Sequence, residues 1–184
     1  MTNGPGGHSD AASALAAQQE QTGPDPFATN PALRTFFECY LQTFVFEGHI
    51  DPKLRELAIL RVMWRCGQAF EWGNHYRLAR NVGLSRADIV AIRTPDPERV
   101  LEGDAALAAR VADEVVDLAR LTPETLAACR ARFPDPGLLH EFLYVVAGYR
   151  MIATVSATLG RTPPADAPLW PPDGIGPDGT RQER

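Results

Sequence analysis

Three ionisable side chains stand on the apolar sides of two neighbouring predicted helices. Glu56 shares a helical face with Ile59 and Met63, at spacings of three and seven residues. Glu71 and His75 are four residues apart and therefore lie on one face of the following helix. Because an unpaired buried charge is costly, three such groups on apolar faces need either mutual partners or a chemical task.

Two carboxyl groups and an imidazole that converge on one place could transfer protons. Glu71, one turn before His75, is expected to orient the imidazole and leave one ring nitrogen free to act. Glu56, in apolar surroundings that favour a neutral carboxyl, could carry a proton to or from a substrate. Gln68 on the same face could donate to a developing oxyanion. The alternative is a satisfied hydrogen-bonded cluster that only fixes helix packing.

The same three groups could instead bind a cation through carboxylate and imidazole ligands. No second histidine stands at helical spacing from His75, since His8, His49 and His140 fall in other parts of the chain. We therefore expect no metal and no cofactor, and a small-molecule substrate as the partner.

Three further side chains are candidates for contacting that substrate. Arg150 lies within the apolar last predicted helix and could pair with a substrate carboxylate or with a buried acid. Trp72 and Tyr149 would add aromatic bulk to the site, although core packing is the alternative for both. The remaining arginines near the motif face away by helical phase, as expected of solvated or intersubunit ion pairs: Arg61, Arg65, Arg77 and Arg80.

The elements that must position these residues are all predicted to be helices. Asn30–Pro31, Asp51–Pro52 and Thr122–Pro123 each combine an N-cap residue with proline at the first helical position. No alternating pattern or hairpin signal indicates a strand. The predicted helices cover about 30–48, 51–66, 68–82, 85–93, 104–120, 122–133 and 137–159.

The two ends of the chain differ from this helical body of residues 30–160. Residues 1–29 are rich in Gly, Ala, Ser and Gln, which predicts a flexible N-terminal arm. Residues 161–184 form a Pro/Gly-rich tail in which no helix or central strand can form. Trp170 interrupts this tail. The sequence favours equally an exposed position for its indole and packing of the indole on the helical body or on another subunit.

Composition excludes several classes of protein. The 184 residues, 45% hydrophobic and 22% charged, suit one soluble domain. A net charge of −5 without a basic run between aromatics argues against nucleic acid. A secretory start and an apolar run of membrane length are not apparent. Three cysteines cannot all pair within the chain, so a reduced, cytoplasmic setting is expected.

Two predicted helices are apolar on nearly all sides, over residues 57–64 and 138–159. A helix of this kind requires burial on all sides. In a chain of this length, that pattern predicts a second layer supplied by other subunits, and hence a homo-oligomer.

Three segments together resemble the carboxymuconolactone decarboxylase family, which includes the alkylhydroperoxidase D-like proteins. They are LRELAILRV at 54–62, EWGNH at 71–75 and ARNVG at 79–83, followed by a Gly-Leu-Ser-x-x-Asp pattern from Gly83. The similarity is densest over residues 54–89 and extends over the helical body. The resemblance implies an all-α, alkylhydroperoxidase D-like subunit that assembles into trimers or hexamers, with its site near a subunit boundary.

The resemblance also separates two branches of chemistry. Alkylhydroperoxidase D-like members carry a Cys-x-x-Cys pair before the histidine, where this sequence has Gln68 and Glu71. Thiol peroxidase chemistry needs an attacking and a resolving thiol, and Cys66 has no partner three residues away. Decarboxylases of the family have a glutamate four residues before the histidine. The resemblance therefore implies Glu71 and His75 as the acid–base pair, with Glu56 as the supporting carboxylate.

The sequence thus predicts a cofactor-independent enzyme that stabilises an enolate formed from a lactone or keto acid. Decarboxylation, isomerisation, dehydration and cyclisation would use the same residues. Two alternatives belong to other classes. One is a non-catalytic oligomeric protein that binds an apolar ligand, and the other is a thiol redox protein that uses Cys39, Cys66 or Cys129.

Overall fold

The fold, given by a computed structural model that describes residues 26–182, is built from helices. Within those residues there is no strand, and only an isolated bridge joins Ile175 and Arg181. The predicted all-α class is therefore confirmed. Residues 1–25 of the predicted N-terminal arm lie outside the described range. The seven main helices are α1 (Pro31–Leu41), α2 (Pro52–Arg65), α3 (Ala69–Asn81), α4 (Arg86–Ala91), α5 (Gly103–Leu118), α6 (Pro123–Arg132) and α7 (Pro136–Thr158).

Side-chain caps fix where α1 and α2 begin. The Asn30 side chain accepts the Ala32 amide at the start of α1, and Asp51 accepts the Lys53 and Leu54 amides at the start of α2. Each cap is followed by proline, whose missing N–H costs nothing at the first helical position. A π-helical turn, Gln42–Phe46, extends α1 toward α2. The predicted helix starts are confirmed at both positions.

Helix α2 is the centre of the molecule. Every residue from Leu54 to Met63 is buried, and α2 packs against α5, α3 and α7 of the same chain. The expectation that other subunits surround this apolar helix is therefore wrong for α2. Its second layer is intramolecular, because the chain supplies three helices around it.

Arg61 ties α2 to its neighbours from inside the fold. Its Nε and Nη2 atoms donate to the two carboxylate oxygens of Asp113 on α5, at 2.7 and 2.8 Å. Its Nη1 atom donates to the carbonyls of Ile92 and Thr94, both at 2.8 Å. Arg61 is only 1% exposed. The prediction of a solvated or intersubunit position is wrong for this arginine, because four acceptors from its own chain replace water.

Helix α7 is long and apolar enough to cross a membrane by length and composition alone. The sequence analysis found no apolar run of that length, and Glu141 and Arg150 interrupt the 23 residues of α7. A core helix satisfies the same criterion, and α7 buries Phe142, Val146 and Tyr149 within the fold. Its outer side carries the exposed residues Tyr144 and Met151.

Residues 161–182, here called the C-terminal strap, fold back onto the helices. Trp170 is buried and lies 5.5 Å from Trp64 and 5.9 Å from Trp72, measured between ring centroids. The Trp72 indole donates to the Pro171 carbonyl at 2.8 Å, and Arg93 donates to the same carbonyl. Of the positions left open for Trp170, packing on the body of the same chain is the one observed.

Candidate active site

The closest contact between the predicted site residues joins Glu56 of α2 to His75 of α3. Glu56 Oε2 lies 2.7 Å from His75 Nδ1. The two residues are 0% and 3% exposed. The packing of α3 on α2 therefore brings a carboxylate and an imidazole together in surroundings that exclude water.

Arg55 completes the hydrogen bonding of Glu56. Its Nε atom donates to Glu56 Oε1 at 3.0 Å, and its Nη1 atom donates to the Val45 carbonyl at 2.7 Å. Arg55 is itself buried. The Arg55 charge offsets that of Glu56, which lowers the cost of burying the carboxylate. Two features of the sequence indicate this contact: Arg55 is next to Glu56, and the helix that carries them is apolar on nearly all sides.

The carboxylate that meets the imidazole is Glu56 and not Glu71, contrary to the prediction. A hydrogen bond from Nδ1–H to Glu56 fixes the ring orientation and leaves Nε2 as the free nitrogen. Glu71 lies one turn away on the same helix as His75, whereas Glu56 faces the ring from the neighbouring helix. Helical spacing within α3 could not rank these two carboxylates, since the choice depends on how α2 packs on α3.

Glu71 is the carboxyl group with no strong partner. It is buried, and its Oε1 atom makes no hydrogen bond to any residue in the described range 26–182. Burial raises the pKa of the Glu71 carboxyl, although the charges of His75 and Arg161 and the amide of Asn74 act in the opposite direction. Glu71, rather than Glu56, is therefore the carboxyl group whose surroundings are shown to favour the protonated form.

Tyr149 of α7 forms a third side of this site. Its ring stands edge-on to the His75 ring, with centroids 4.6 Å apart. Burial is the main reason that the pKa of Tyr149 lies well above its usual 10, so the phenol stays neutral. Tyr40 packs behind it at 6.0 Å, close to Gly148, where a side chain would collide with the Tyr40 ring. The sequence analysis predicted only aromatic bulk from Tyr149, and the structure places its ring beside the imidazole.

Three other residues that were predicted to contact the substrate make contacts within the protein instead. The Gln68 side-chain oxygen caps α3 by accepting the Phe70 amide at 3.0 Å, so it is not aimed at an oxyanion. Trp72 is fully buried in the tryptophan cluster under the strap. Arg150 is half-buried and donates to the Thr154 hydroxyl one turn further along α7. The structure does not bring these three to the imidazole.

The cysteines are not arranged for thiol chemistry. Cys39 is exposed, Cys66 is half-buried and Cys129 is buried, and all three are free thiols. Burial raises the pKa of the Cys66 thiol and raises that of Cys129 to about 11. Both changes oppose formation of the reactive thiolate. Among residues 26–182, no group of three or more His, Cys, Asp or Glu side chains is placed to hold a metal ion.

Comparison with known proteins agrees with the resemblance seen in the sequence. Residues 31–114 match the model of the carboxymuconolactone decarboxylase family. No curated protein and no solved structure matches significantly. The matched range contains Glu56, Glu71 and His75, whereas Tyr149 and the strap lie beyond it. The match supports the predicted family over residues 31–114.

Proposed function

Since residues 31–114 belong to the carboxymuconolactone decarboxylase family, we propose that this protein is a cofactor-independent acid–base enzyme. Its substrate would be a lactone or keto acid from which an enolate can form. The observation that carries this proposal is the buried contact of 2.7 Å between Glu56 and His75. A carboxylate that orients an imidazole and stabilises its cation is a recurrent arrangement for general acid–base catalysis.

In the proposed reaction, His75 Nε2 exchanges the proton with carbon. For a decarboxylation, the bond between the carboxylate carbon and its neighbour breaks, carbon dioxide leaves and the electron pair becomes an enolate. The His75 imidazolium then gives its proton to that carbon, and Glu56 stabilises the imidazolium until the transfer. For an isomerisation, the imidazole first removes the proton from carbon and returns it elsewhere.

Glu71 has a different part in the proposal. A carboxyl group that keeps its proton at higher pH can donate a hydrogen bond to the substrate oxygen on which negative charge develops. The raised pKa of Glu71 and its unpaired Oε1 atom support this assignment. Glu71 would thus take over the oxyanion role that the sequence analysis gave to Gln68.

The proposal is tested by a substrate screen in deuterium oxide. The parent protein is offered small lactones and β-keto acids, and both carbon dioxide release and deuterium incorporation at carbon are measured. His75→Gln should lower the rate by about 10²–10⁴-fold, the usual contribution of positioned proton transfer. His140→Gln, which changes an exposed histidine on α7, serves as the matched control and should leave the rate unchanged.

Circular dichroism confirms that both variants keep the parent's helix content. A substrate that the parent converts and that His75→Gln converts equally fast would exclude His75 as the acid–base group.

A further inference from the structure

Tyr149 of α7 is a buried phenol whose hydroxyl group has no hydrogen bond. The residue is only 1% exposed. Within the described range 26–182, no backbone or side-chain group is a hydrogen-bond partner of its hydroxyl. A polar group that loses water on folding and gains no partner lowers the stability of the fold. Such a group therefore needs an explanation other than packing.

Tyr40 of α1, which packs against Tyr149, shows the contrast with a tyrosine that stabilises the fold. Its hydroxyl donates to the carbonyls of Tyr144 and Val145 on α7, at 3.2 and 3.1 Å. Its ring lies against Gly148, where an added Cβ atom would collide with it. Tyr40 thus fixes the position of α7, and with it the position of the Tyr149 ring. The Tyr149 hydroxyl has no comparable contact.

The neighbours of Tyr149 are the residues of the candidate active site. Its ring centroid is 4.6 Å from that of His75. The charges of Glu56 and Glu71 contribute to raising the pKa of Tyr149, and neither carboxyl group forms a hydrogen bond with it. Both oxygens of Glu56 already have partners, which are Arg55 and His75. The phenol therefore lies beside the imidazole without an acceptor among the described residues.

The chemistry of this phenol is that of a hydrogen-bond donor. Burial is the main reason that the pKa of Tyr149 lies well above its usual 10, so the hydroxyl keeps its proton at neutral pH. A neutral phenol of this kind neither acts as a base nor adds negative charge. A donor that the protein holds in place stabilises a developing oxyanion better than water does, because its dipole needs no reorientation.

We propose that the Tyr149 hydroxyl donates a hydrogen bond to the substrate oxygen on which the enolate charge develops, next to the carbon that exchanges a proton with His75. The phenol keeps its proton throughout, so it stabilises the enolate and is not the acid. This inference rests on the proposed function, because it adds a donor besides Glu71 to the same oxygen. Tyr149 lies beyond the matched residues 31–114, so the family match assigns it no role.

The first test measures kcat and KM on a lactone or keto acid that the parent converts. Tyr149→Phe should lower kcat by about 10²–10³-fold, the usual effect of removing one oxyanion donor. KM should stay nearly unchanged, because the full charge on oxygen exists only in the transition state. Tyr144→Phe makes the same change on the exposed side of α7 and should keep both constants.

The same variants separate this role from a structural one. The urea concentration at the midpoint of unfolding should be as high for Tyr149→Phe as for the parent, or higher, because the substitution removes an unpaired hydroxyl. Tyr40→Phe should have a lower midpoint, because it loses two hydrogen bonds to α7.

The second test needs no turnover and uses para-nitrophenol as the probe, at a pH where this compound is ionised. Its phenolate has a negative oxygen on a planar unsaturated ring, like an enolate, and its absorbance reports binding. The parent and Tyr144→Phe should bind it in a saturable way. Tyr149→Phe should bind it about tenfold or more weakly, because a hydrogen bond to a charged oxygen is lost.

The inference is overturned if the parent does not bind the phenolate saturably, or if Tyr149→Phe matches the parent in binding or in kcat. A lower unfolding midpoint for Tyr149→Phe than for the parent also overturns it, since the hydroxyl would then have a structural partner. These failures are distinguishable from failure of the proposed function. If Tyr149→Phe weakens binding but His75→Gln keeps full turnover, only the acid–base role is wrong. If His75→Gln lowers turnover but Tyr149→Phe changes neither binding nor kcat, only the role of Tyr149 is wrong.

Discussion

Two buried carboxyl groups lie near His75, and their different neighbours give them different properties. Glu56 has direct contacts with Arg55 and His75, at 3.0 and 2.7 Å. Glu71 has no hydrogen-bonded cation among its described contacts, and burial raises its pKa. When the surroundings of two carboxyl groups favour different protonation states, one site can provide both a charged group and a proton donor.

The raised pKa of Glu71 predicts a specific dependence of stability on pH. Between the ordinary carboxyl value of 4.5 and the higher folded-state value, the folded protein holds a proton that the unfolded chain has lost. The Glu71 contribution to the free energy of unfolding is therefore present at low pH and lost as pH rises through this window, by about 1.4 kcal/mol per pH unit. Glu71→Gln should remove this decrease and be more stable than the parent at neutral pH.

Urea unfolding between pH 4 and 8 measures this effect. Glu124→Gln, which changes an exposed carboxyl group on α6, is the control. The control should follow the pH dependence of the parent. An identical decrease in the parent and in Glu71→Gln would show that Glu71 is ionised in the folded protein.

The sequence predicted the site at the level of helix faces and not of atomic pairs. Apolar spacing placed Glu56, Glu71 and His75 on buried faces, and the structure buries all three. The pairing of His75 with Glu56 depends on the relative position of two helices, which spacing within either helix does not contain. The sequence predicts Gln68 as a donor to an oxyanion, but its position just before α3 makes it the helix cap.

At the level of elements, α2 positions Glu56 and is itself held by Arg61. Arg61→Met should destabilise the fold by about 3–5 kcal/mol, because the Ile92 and Thr94 carbonyls lose a buried charged donor. Arg65→Met removes a partner of the same Asp113, but the Arg65 side chain is 29% exposed. Its cost should be about 0–1 kcal/mol. Equal effects of the two substitutions on the free energy of urea unfolding would contradict this account.

Local signals were sufficient for most helix boundaries. Caps such as Asp51 and the Ser85–Asp88 capping box act within a few residues, so the sequence contains them directly. The surroundings of α2 could not be predicted, because three helices distant in sequence bury it. The buried position of Trp170 depends in the same way on contacts with Trp64, Trp72 and Arg93. No local sequence pattern links these residues to the strap.

At the scale of the whole molecule, residues 26–182 leave one apolar groove exposed between α1 and α7. Leu33 and Phe36 of α1 and Met151 and Val155 of α7 are exposed and line a shallow apolar groove of about 140 Å³. Contiguous apolar surface of this kind is typical of protein interfaces. We propose that a second copy of the chain covers it, in line with the predicted homotrimer or homohexamer.

Light scattering coupled to size-exclusion chromatography tests this proposal. The parent should have the mass of several chains, and Met151→Glu should shift it toward the mass of one, because a buried charge at the interface is costly. Leu118→Glu, an equally polar change at an exposed leucine of α5, should leave the mass unchanged. A parent protein with the mass of a single chain would refute the proposed assembly.

We propose that Glu56 and His75 act as one unit in proton transfer, and a double-mutant cycle measures that coupling. kcat/KM is measured for the parent, Glu56→Gln, His75→Gln and the double variant on a lactone or keto acid that the parent converts. Each single substitution should lower kcat/KM by about 10²–10⁴-fold, and the double variant should be no slower than His75→Gln alone, since Glu56 acts through the imidazole. Losses that multiply in the double variant, or a fully active His75→Gln, would contradict the account.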